Sequence, residues 1–365
     1  MQSITYAEKG VAIRDVAQQA GVSTATVSRV VSGRGYVAVD TRARVLKAID
    51  DLQFVPNAMA RGLKTKRSGM IALLVPEIVN SFYTTVARGV ENVANKHGFQ
   101  VILGNTDEDI AKEKAYIDLM VASHIEGVIL APSGRTATHL NALVTRKVPT
   151  VVFDRKVEGF QADTVMGDSV TGAVDLINHL VHLGHQRIAI VNGDPETSSS
   201  RDRLQGFRAA LAIAGITPDE RWISHGTWFI EDAEARVERL LSEAPGFTAI
   251  FAANNFMAIG ALRALRRHGK EVPNDVALVC FDDIAAASEI DPFLTVMSQP
   301  AYTMGTLSAQ LLLERISGAR TGPPRQISLG SEFLIRRSCG AELTPSTWKG
   351  GSRQESVPVG SIVGS

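Results

Sequence analysis

Residues 13–32 read Ile-Arg-Asp-Val-Ala-Gln-Gln-Ala-Gly-Val-Ser-Thr-Ala-Thr-Val-Ser-Arg-Val-Val-Ser, two short apolar-periodic stretches bent around a glycine. Val16, Ala17 and Ala20 fall on one helical face, and Val27, Val30 and Val31 repeat the spacing on the next, so the two stripes can pack together. Gly21 supplies the tight corner. Ser23 is placed to cap the second helix by accepting from a free backbone N–H. This is the pattern of a helix-turn-helix, in which the first turn of the second helix meets base edges in the major groove. Here that turn presents Thr24, Ala25 and, one turn on, Arg29. The competing reading is a helical hairpin that touches nothing. A third amphipathic stretch over 41–52, with Val45, Leu46, Ile49 and Leu52 at helical spacing, closes a three-helix core and favours DNA reading. Two helix starts are expected to be poorly capped, because Ala12 and Ala38 stand where a side-chain oxygen would contribute about 1 kcal/mol each.

Charge is distributed to match. The 365-residue chain is neutral overall, 45% apolar and 21% charged, enough to bury a large core in two or three domains. Residues 1–68 nevertheless carry eleven Lys or Arg against five acids, an excess of six that the remainder balances with the opposite sign. A basic head on an acidic body concentrates phosphate attraction at the reading helix. Cys280 and Cys339, the only cysteines, and the eight histidines lack metal-ligand spacing, so no metal and no cofactor is expected. No Gly-rich phosphate loop or nucleophile elbow occurs, which argues against an enzyme. No stretch reads as a signal peptide or membrane span, so a cytoplasmic, membrane-free protein is expected.

Pro56-Asn57 closes the head and can start another short helix over 58–63, flanked by Lys64, Lys66 and Arg67. Six or seven residues cannot hold a helix alone in water, so this collar is expected to be ordered only by a partner. From Met70 the texture changes. Strands are expected at 71–75, 101–104, 128–131, 150–153, 188–191, 249–252 and 276–281, with helices at 82–97, 111–123, 137–146, 169–183, 201–214, 231–242 and 255–268. Repeated strand-helix units imply parallel sheets covered on both faces, here two of them, with ligands beyond the carboxyl ends of the strands. Residues 344–365, rich in Ser, Gly and Pro, read as a disordered tail without the leucine heptads that would build a tetramer.

The ordered markers Asp15-Val16-Ala17, Gly21-Val22-Ser23, Thr26-Val27-Ser28-Arg29, Pro56-Asn57 and Ala60-Arg61-Gly62-Leu63 continue with Phe153-Asp154-Arg155, Gly184-His185, Gly206-Phe207, Met257-Ala258 and Phe281-Asp282-Asp283. Over residues 11–343 the chain resembles the lactose and galactose repressor family of bacterial transcription regulators. The resemblance implies an α/β protein in four parts. A helix-turn-helix head spans 11–56, a hinge helix and linker 57–69, and a periplasmic-binding-protein-like core of two doubly wound parallel-sheet subdomains 70–343, before the tail at 344–365. It further implies a homodimer gripping near-palindromic operator DNA. Carried over residue by residue, the DNA-binding set becomes Ser23, Thr24, Ala25, Thr26, Ser28, Arg29, Asn57, Ala60, Arg61, Leu63 and Lys64. Arg29 can bond a guanine bidentately, and Leu63 stands where the family drives a leucine into the minor groove, a wedge that kinks the duplex. Gly62, where a serine is common, makes the free hinge less helical.

The resemblance also implies an effector between the subdomains. A sugar taken from water needs a partner for every hydroxyl and flat apolar cover for its C–H faces. The matching positions are Asn80, Phe82, Tyr83, Asp154, Arg155, Arg203, Asn254, Asp282 and Gln299, with Trp228 as a further ring face. Two acids and two arginines suit a neutral polyol, ribose first. Taken singly, Phe82 reads equally as core and Arg155 as a surface ion pair with Asp154, while Asn255 departs from the family's usual Asp. The expected function is repression of carbohydrate-utilisation genes under a small sugar. A corepressor-activated regulator, a regulator answering to a partner protein, and a sugar-binding receptor are the alternatives.

Overall fold

The computed structural model describes residues 11–33, 35–54 and 68–341, which divide into two units at Gly69 and Met70. The first unit holds α1 (Ile13–Ala20), α2 (Thr24–Ser32) and α3 (Val39–Asp51). Val16, Ala17, Ala20, Val27, Val30, Val45, Ala48 and Phe54 form its buried core, as the two opening stripes require. Leu46 departs from expectation and is 52% exposed. Successive helical residues are turned by about 100°, so once Val45 faces inward its neighbour cannot, and Ala48 takes the inner place. Gly21 adopts the left-handed conformation at φ 64°, and Ser23 accepts from the Thr26 amide at 3.2 Å. The start of α1 is better held than Ala12 suggests, because Asp15 Oδ2 accepts the Ala12 N–H at 2.8 Å. Ala38 makes no side-chain cap.

The second unit contains two six-stranded sheets. In the first, β1 (Met70–Val75), β2 (Gln100–Asn105), β3 (Gly127–Leu130), β4 (Thr150–Phe153), β5 (Asp163–Gly167) and β11 (Gln326–Leu329) are ordered β11-β5-β4-β3-β1-β2, all parallel. The second runs β12-β10-β9-β8-β6-β7, from β6 (Ile188–Asn192), β7 (Ile223–His225), β8 (Ala249–Ala252), β9 (Ala277–Phe281), β10 (Thr295–Ser298) and β12 (Glu332–Leu334). Only β12 is antiparallel to its neighbour. Successive side chains point to opposite faces, so central strands such as β1 and β9, covered on both, are apolar throughout. Ile71, Leu73 and Val75 face one layer with α4 (Ser81–Lys96), and Ala72 and Leu74 face the other with α5 (Ile110–Ala122).

In the second sheet Ile188 and Ile190 pack beneath α7 (Ser169–His182) and α8 (Ser198–Ile213), while Ala189 and Val191 pack under α9 (Ile230–Glu243) and α10 (Asn255–Arg267). The expected helix over 137–146 is a 3-10 turn at Thr138–Leu140 followed by α6 (Asn141–Thr145). Strands β5, β7, β10, β11 and β12, and the helices α11 (Ala285–Ile290) and α12 (Ala301–Ser317), were not anticipated. They matter because the chain crosses between sheets three times, after β5, after β10 and after β11. The crossings lie side by side, with the Asp168 N–H donating to the Leu329 carbonyl at 3.1 Å. The expected hinge over 57–69 falls outside the described residues up to Arg67, and the tail from residue 342 lies outside them too.

Candidate functional site

On the head, Ser23, Thr24, Ala25 and Arg29 are exposed on α2, and Thr26 and Ser28 are half-buried. The Thr26 hydroxyl is engaged with Ser23 Oγ at 3.0 Å, so its first duty is to the cap. Two exposed residues escaped the sequence reading, Tyr36 at 92% and Val39 at 83% exposure. Both stand at the entry to α3. The remaining expected DNA contacts, Asn57, Ala60, Arg61, Leu63 and Lys64, lie outside the described residues.

Between the two sheets, a closed cleft with a cavity of about 20 Å³ is lined by Asn80, Phe82, Tyr83, Asp154, Arg155, Arg203, Trp228, Asn254 and Asp282, nine of the ten positions expected. Each arrives just past the carboxyl end of a strand or on the helix that follows. The tenth, Gln299, stands behind the wall, donating from Nε2 to Asp282 Oδ1 at 2.8 Å. Glu77, Glu108, Ser199, Phe229 and Phe256 also line the cavity and were not foreseen. The balance of two acids and two arginines is thereby corrected to four carboxylates against two guanidiniums.

Arg155 is no surface ion pair. It is 3% exposed, and its Nη1 and Nη2 donate to the two Glu108 oxygens at 2.5 and 2.7 Å, while Asp154 stands 3.6 Å from Nε. Burial opposes the Arg155 charge, yet Glu108, Tyr83 and Asp154 together outweigh it and keep the guanidinium firmly protonated. Tyr83 Oη donates to Asp154 Oδ2 at 2.9 Å, and burial pushes the phenol well above its ordinary range, so it stays a donor. Phe82 packs edge-on to Tyr83 at 5.1 Å; both belong to the core cluster and line the cavity, so core and platform are one position. Arg203 donates from Nη1 to the Ala253 carbonyl at 2.5 Å, lies 3.7 Å from Asp282, and covers the Phe281 ring at 4.0 Å. Burial raises the Asp282 carboxyl to about 6 against the pull of Arg203 and Gln299.

Three of the cavity acids share a backbone peculiarity. Glu108, Asp154 and Asp282 have φ of 58°, 63° and 67°, a conformation costing of order 1–3 kcal/mol per non-glycine residue and concentrated at functional sites.

Trp228 lies flat against Gly193, where an added Cβ would meet its ring at 2.1 Å. Its loop is stapled from behind by the fully buried Arg236, which donates to the carbonyls of Asn192, Ser224 and Thr227 at 2.7, 3.2 and 3.0 Å. Asp232 completes the staple, pairing with Arg236 Nε at 3.0 Å and accepting the Thr227 N–H at 2.8 Å. Beside the cavity the two sheets' following helices are bridged by buried amides. Asn80 and Asn255 exchange side-chain hydrogen bonds, 3.0 Å each way, and Ser81 Oγ donates to the Asp283 carbonyl at 3.4 Å. Asn80 Oδ1 also caps α4 through the Phe82 amide. Among the described residues, three buried N–H groups lining the cavity have no protein acceptor: Arg155 Nε, Arg203 Nε and Trp228 Nε1. No metal-binding group of side chains occurs among the described residues.

Comparison with known families agrees with this arrangement. Residues 68–337 match the model of the periplasmic binding proteins and sugar binding domain of the LacI family, and residues 12–57 match that of the bacterial regulatory proteins of the lacI family. The chain belongs to the LacI family. A LacI-family relative, the ribose operon repressor of Halalkalibacterium halodurans, is 36% identical over 307 residues, covering 83% of this chain and 90% of the relative. Among solved structures, the Lac repressor dimer bound to operator and the anti-inducer ONPF superposes with a TM-score of 0.77 at 27% identity over 91% of this chain and all of that one. A LacI-family regulator from Enterococcus faecium with bound ribose gives 0.66 at 31% identity, covering 74% of this chain and 98% of its own. The family read from the sequence is therefore the family found, and these relatives are named as repressors and regulators. No helix among the described residues is long and apolar enough to cross a membrane.

Proposed function

We propose that this chain is a cytoplasmic, homodimeric transcriptional repressor that grips near-palindromic operator DNA through α2 and the hinge, and that a neutral sugar of ribose size in the cleft controls the grip. The observation that carries the effector half is the trio of unpaired N–H donors beside the carboxylates of Asp154 and Asp282. A buried donor without an acceptor costs about 1–3 kcal/mol. A hydroxyl accepts from such a donor while giving its own proton to a carboxylate, so a polyol satisfies both halves of the wall at once. Phe82, Trp228 and Phe256 offer apolar ring surface for the C–H faces. The ribose operon repressor and the ribose-bound regulator among the relatives support the same class of ligand.

The DNA half rests on the exposed, capped α2 and on the basic excess of the head. Coupling between sites is reciprocal: a typical 1–3 kcal/mol changes operator affinity about 5- to 150-fold, and operator must weaken the sugar by the same factor. Titration calorimetry with ribose, arabinose, xylose, glucose and galactose, followed by operator binding with and without the best ligand, tests both halves. Saturable heat with a neutral aldose and a reciprocal loss of operator affinity are expected. No heat with any of these sugars would remove the effector half, and no retention of palindromic DNA at low salt would remove the other.

A further inference from the structure

Glu108 was not suggested by the sequence, yet it decides what Arg155 can do. A guanidinium recognises phosphate or carboxylate with a parallel pair of N–H groups. One N–H of each Nη of Arg155 goes to a Glu108 oxygen, so the end-on fork is taken, while Nε has no protein acceptor. Arg203 is charge-paired in the same sense, with Nη1 on the Ala253 carbonyl, Nη2 3.7 Å from Asp282 and Nε without a protein acceptor. Each guanidinium charge is therefore already met by a carboxylate, so the remaining N–H groups suit a hydroxyl oxygen and no unmatched positive charge is left for an anion. The surrounding carboxylates of Glu77, Asp154 and Asp282 add repulsion. Glu108 is 15% exposed at its side chain and is aimed by two successive left-handed residues, Asp107 at φ 52° and itself at 58°.

Resting on the reading of this cleft as the effector site, we propose that Glu108 is a specificity-determining residue: by occupying the fork of Arg155 it reserves the site for uncharged ligands and rejects the phosphorylated or carboxylated counterpart of the same sugar. Glu108→Gln keeps the shape and removes the charge, and Glu108→Ala opens the fork entirely. Wild type, Glu108→Gln, Glu108→Ala and the charge-preserving Glu108→Asp are titrated with D-ribose, D-ribose 5-phosphate and inorganic phosphate, after thermal unfolding identifies which variants are folded.

The wild type and Glu108→Asp are expected to prefer ribose over its phosphate. The two uncharged variants should shift that ratio by about tenfold or more toward the phosphate, the order expected for a newly available charge-assisted bidentate contact. They should also show saturable phosphate binding absent from wild type. The proposal is overturned if the folded uncharged variants reject both anions as wild type does, or if wild type already binds ribose 5-phosphate as tightly as ribose. Should wild type bind no neutral sugar while the uncharged variants gain phosphate, the ribose reading fails and the role of Glu108 stands.

Discussion

Replacing Gly193 by alanine probes the cleft with a single methyl group. Gly193 does not have a positive φ, so alanine is compatible with its backbone and the effect is steric. The new Cβ would stand 2.1, 2.2 and 2.6 Å from Cε2, Cζ2 and Cδ2 of Trp228. Carbon atoms in contact rest at about 3.5 Å or more, so the ring must retreat by about 1.4 Å. Its loop cannot follow easily, because Arg236 and Asp232 hold Thr227 on both its N–H and its carbonyl. The ring is instead driven toward Arg155 and Arg203, whose guanidiniums lie 5.3 and 5.8 Å from its centroid. Overpacking of this kind costs about 1–3 kcal/mol. If the strain is released by displacing Trp228, the effector loses about 5- to 150-fold in affinity at 1.4 kcal/mol per decade. Calorimetric titration and thermal unfolding of the same preparation read the two routes, and at least one must show the cost. A variant matching wild type in both would mean that the indole does not rest on this glycine, and the account of the cavity wall would fail.

Arg236→Met keeps length but strands three buried carbonyls and the Asp232 carboxylate; destabilisation of about 3–5 kcal/mol is expected, measured by denaturant unfolding, and a change below about 1 kcal/mol would show that the staple is dispensable. Asp163 is paired with Arg315 at 2.8 and 3.0 Å and also bonded by the Arg325 backbone. Burial works against its charge, but these partners hold its carboxyl down at about 2. Because the folded value lies below the unfolded one, this stabilisation is present above about pH 4 and is lost as pH falls through about 2. Asp163→Asn should therefore be less stable at neutral pH, by a margin that shrinks between pH 4 and pH 2 in a series of thermal midpoints; a margin independent of pH would contradict this. Leu63→Ala should weaken operator binding and bending while leaving sugar affinity unchanged, and equal operator affinity in mobility-shift titrations would remove the wedge role.

What could be read from the sequence follows burial. Strands such as Met70–Val75 and Ala277–Phe281 are covered on both faces and announce themselves as unbroken apolar runs. β11 alternates exposed and half-buried residues at a sheet edge, and β7 has three residues, so neither carries such a run. The cleft residues were found because strand ends are where such sheets bind ligands and because the family resemblance pointed to them. Glu108 was hidden in Asp107-Glu108-Asp109, an acidic run whose neighbours have ordinary duties: Asp109 caps α5, and Asp107 pairs with Lys112. What separates Glu108 from them is its bidentate pairing with Arg155, 47 residues away in sequence, and residue type does not reveal that. Gln299 was visible as a polar residue in a crossover, but whether it faces a ligand or backs Asp282 depends on a side-chain direction that spacing does not encode.

The reciprocal amide pair of Asn80 and Asn255 has a kinetic consequence. Because Asn80 and Asn255 fasten the jaws to each other, the proposed sugar would have to wait for them to part before it could enter. Capture should then level off at high sugar concentration, at the rate of spontaneous parting, so the promptness of the response would be governed by the Asn80–Asn255 pair.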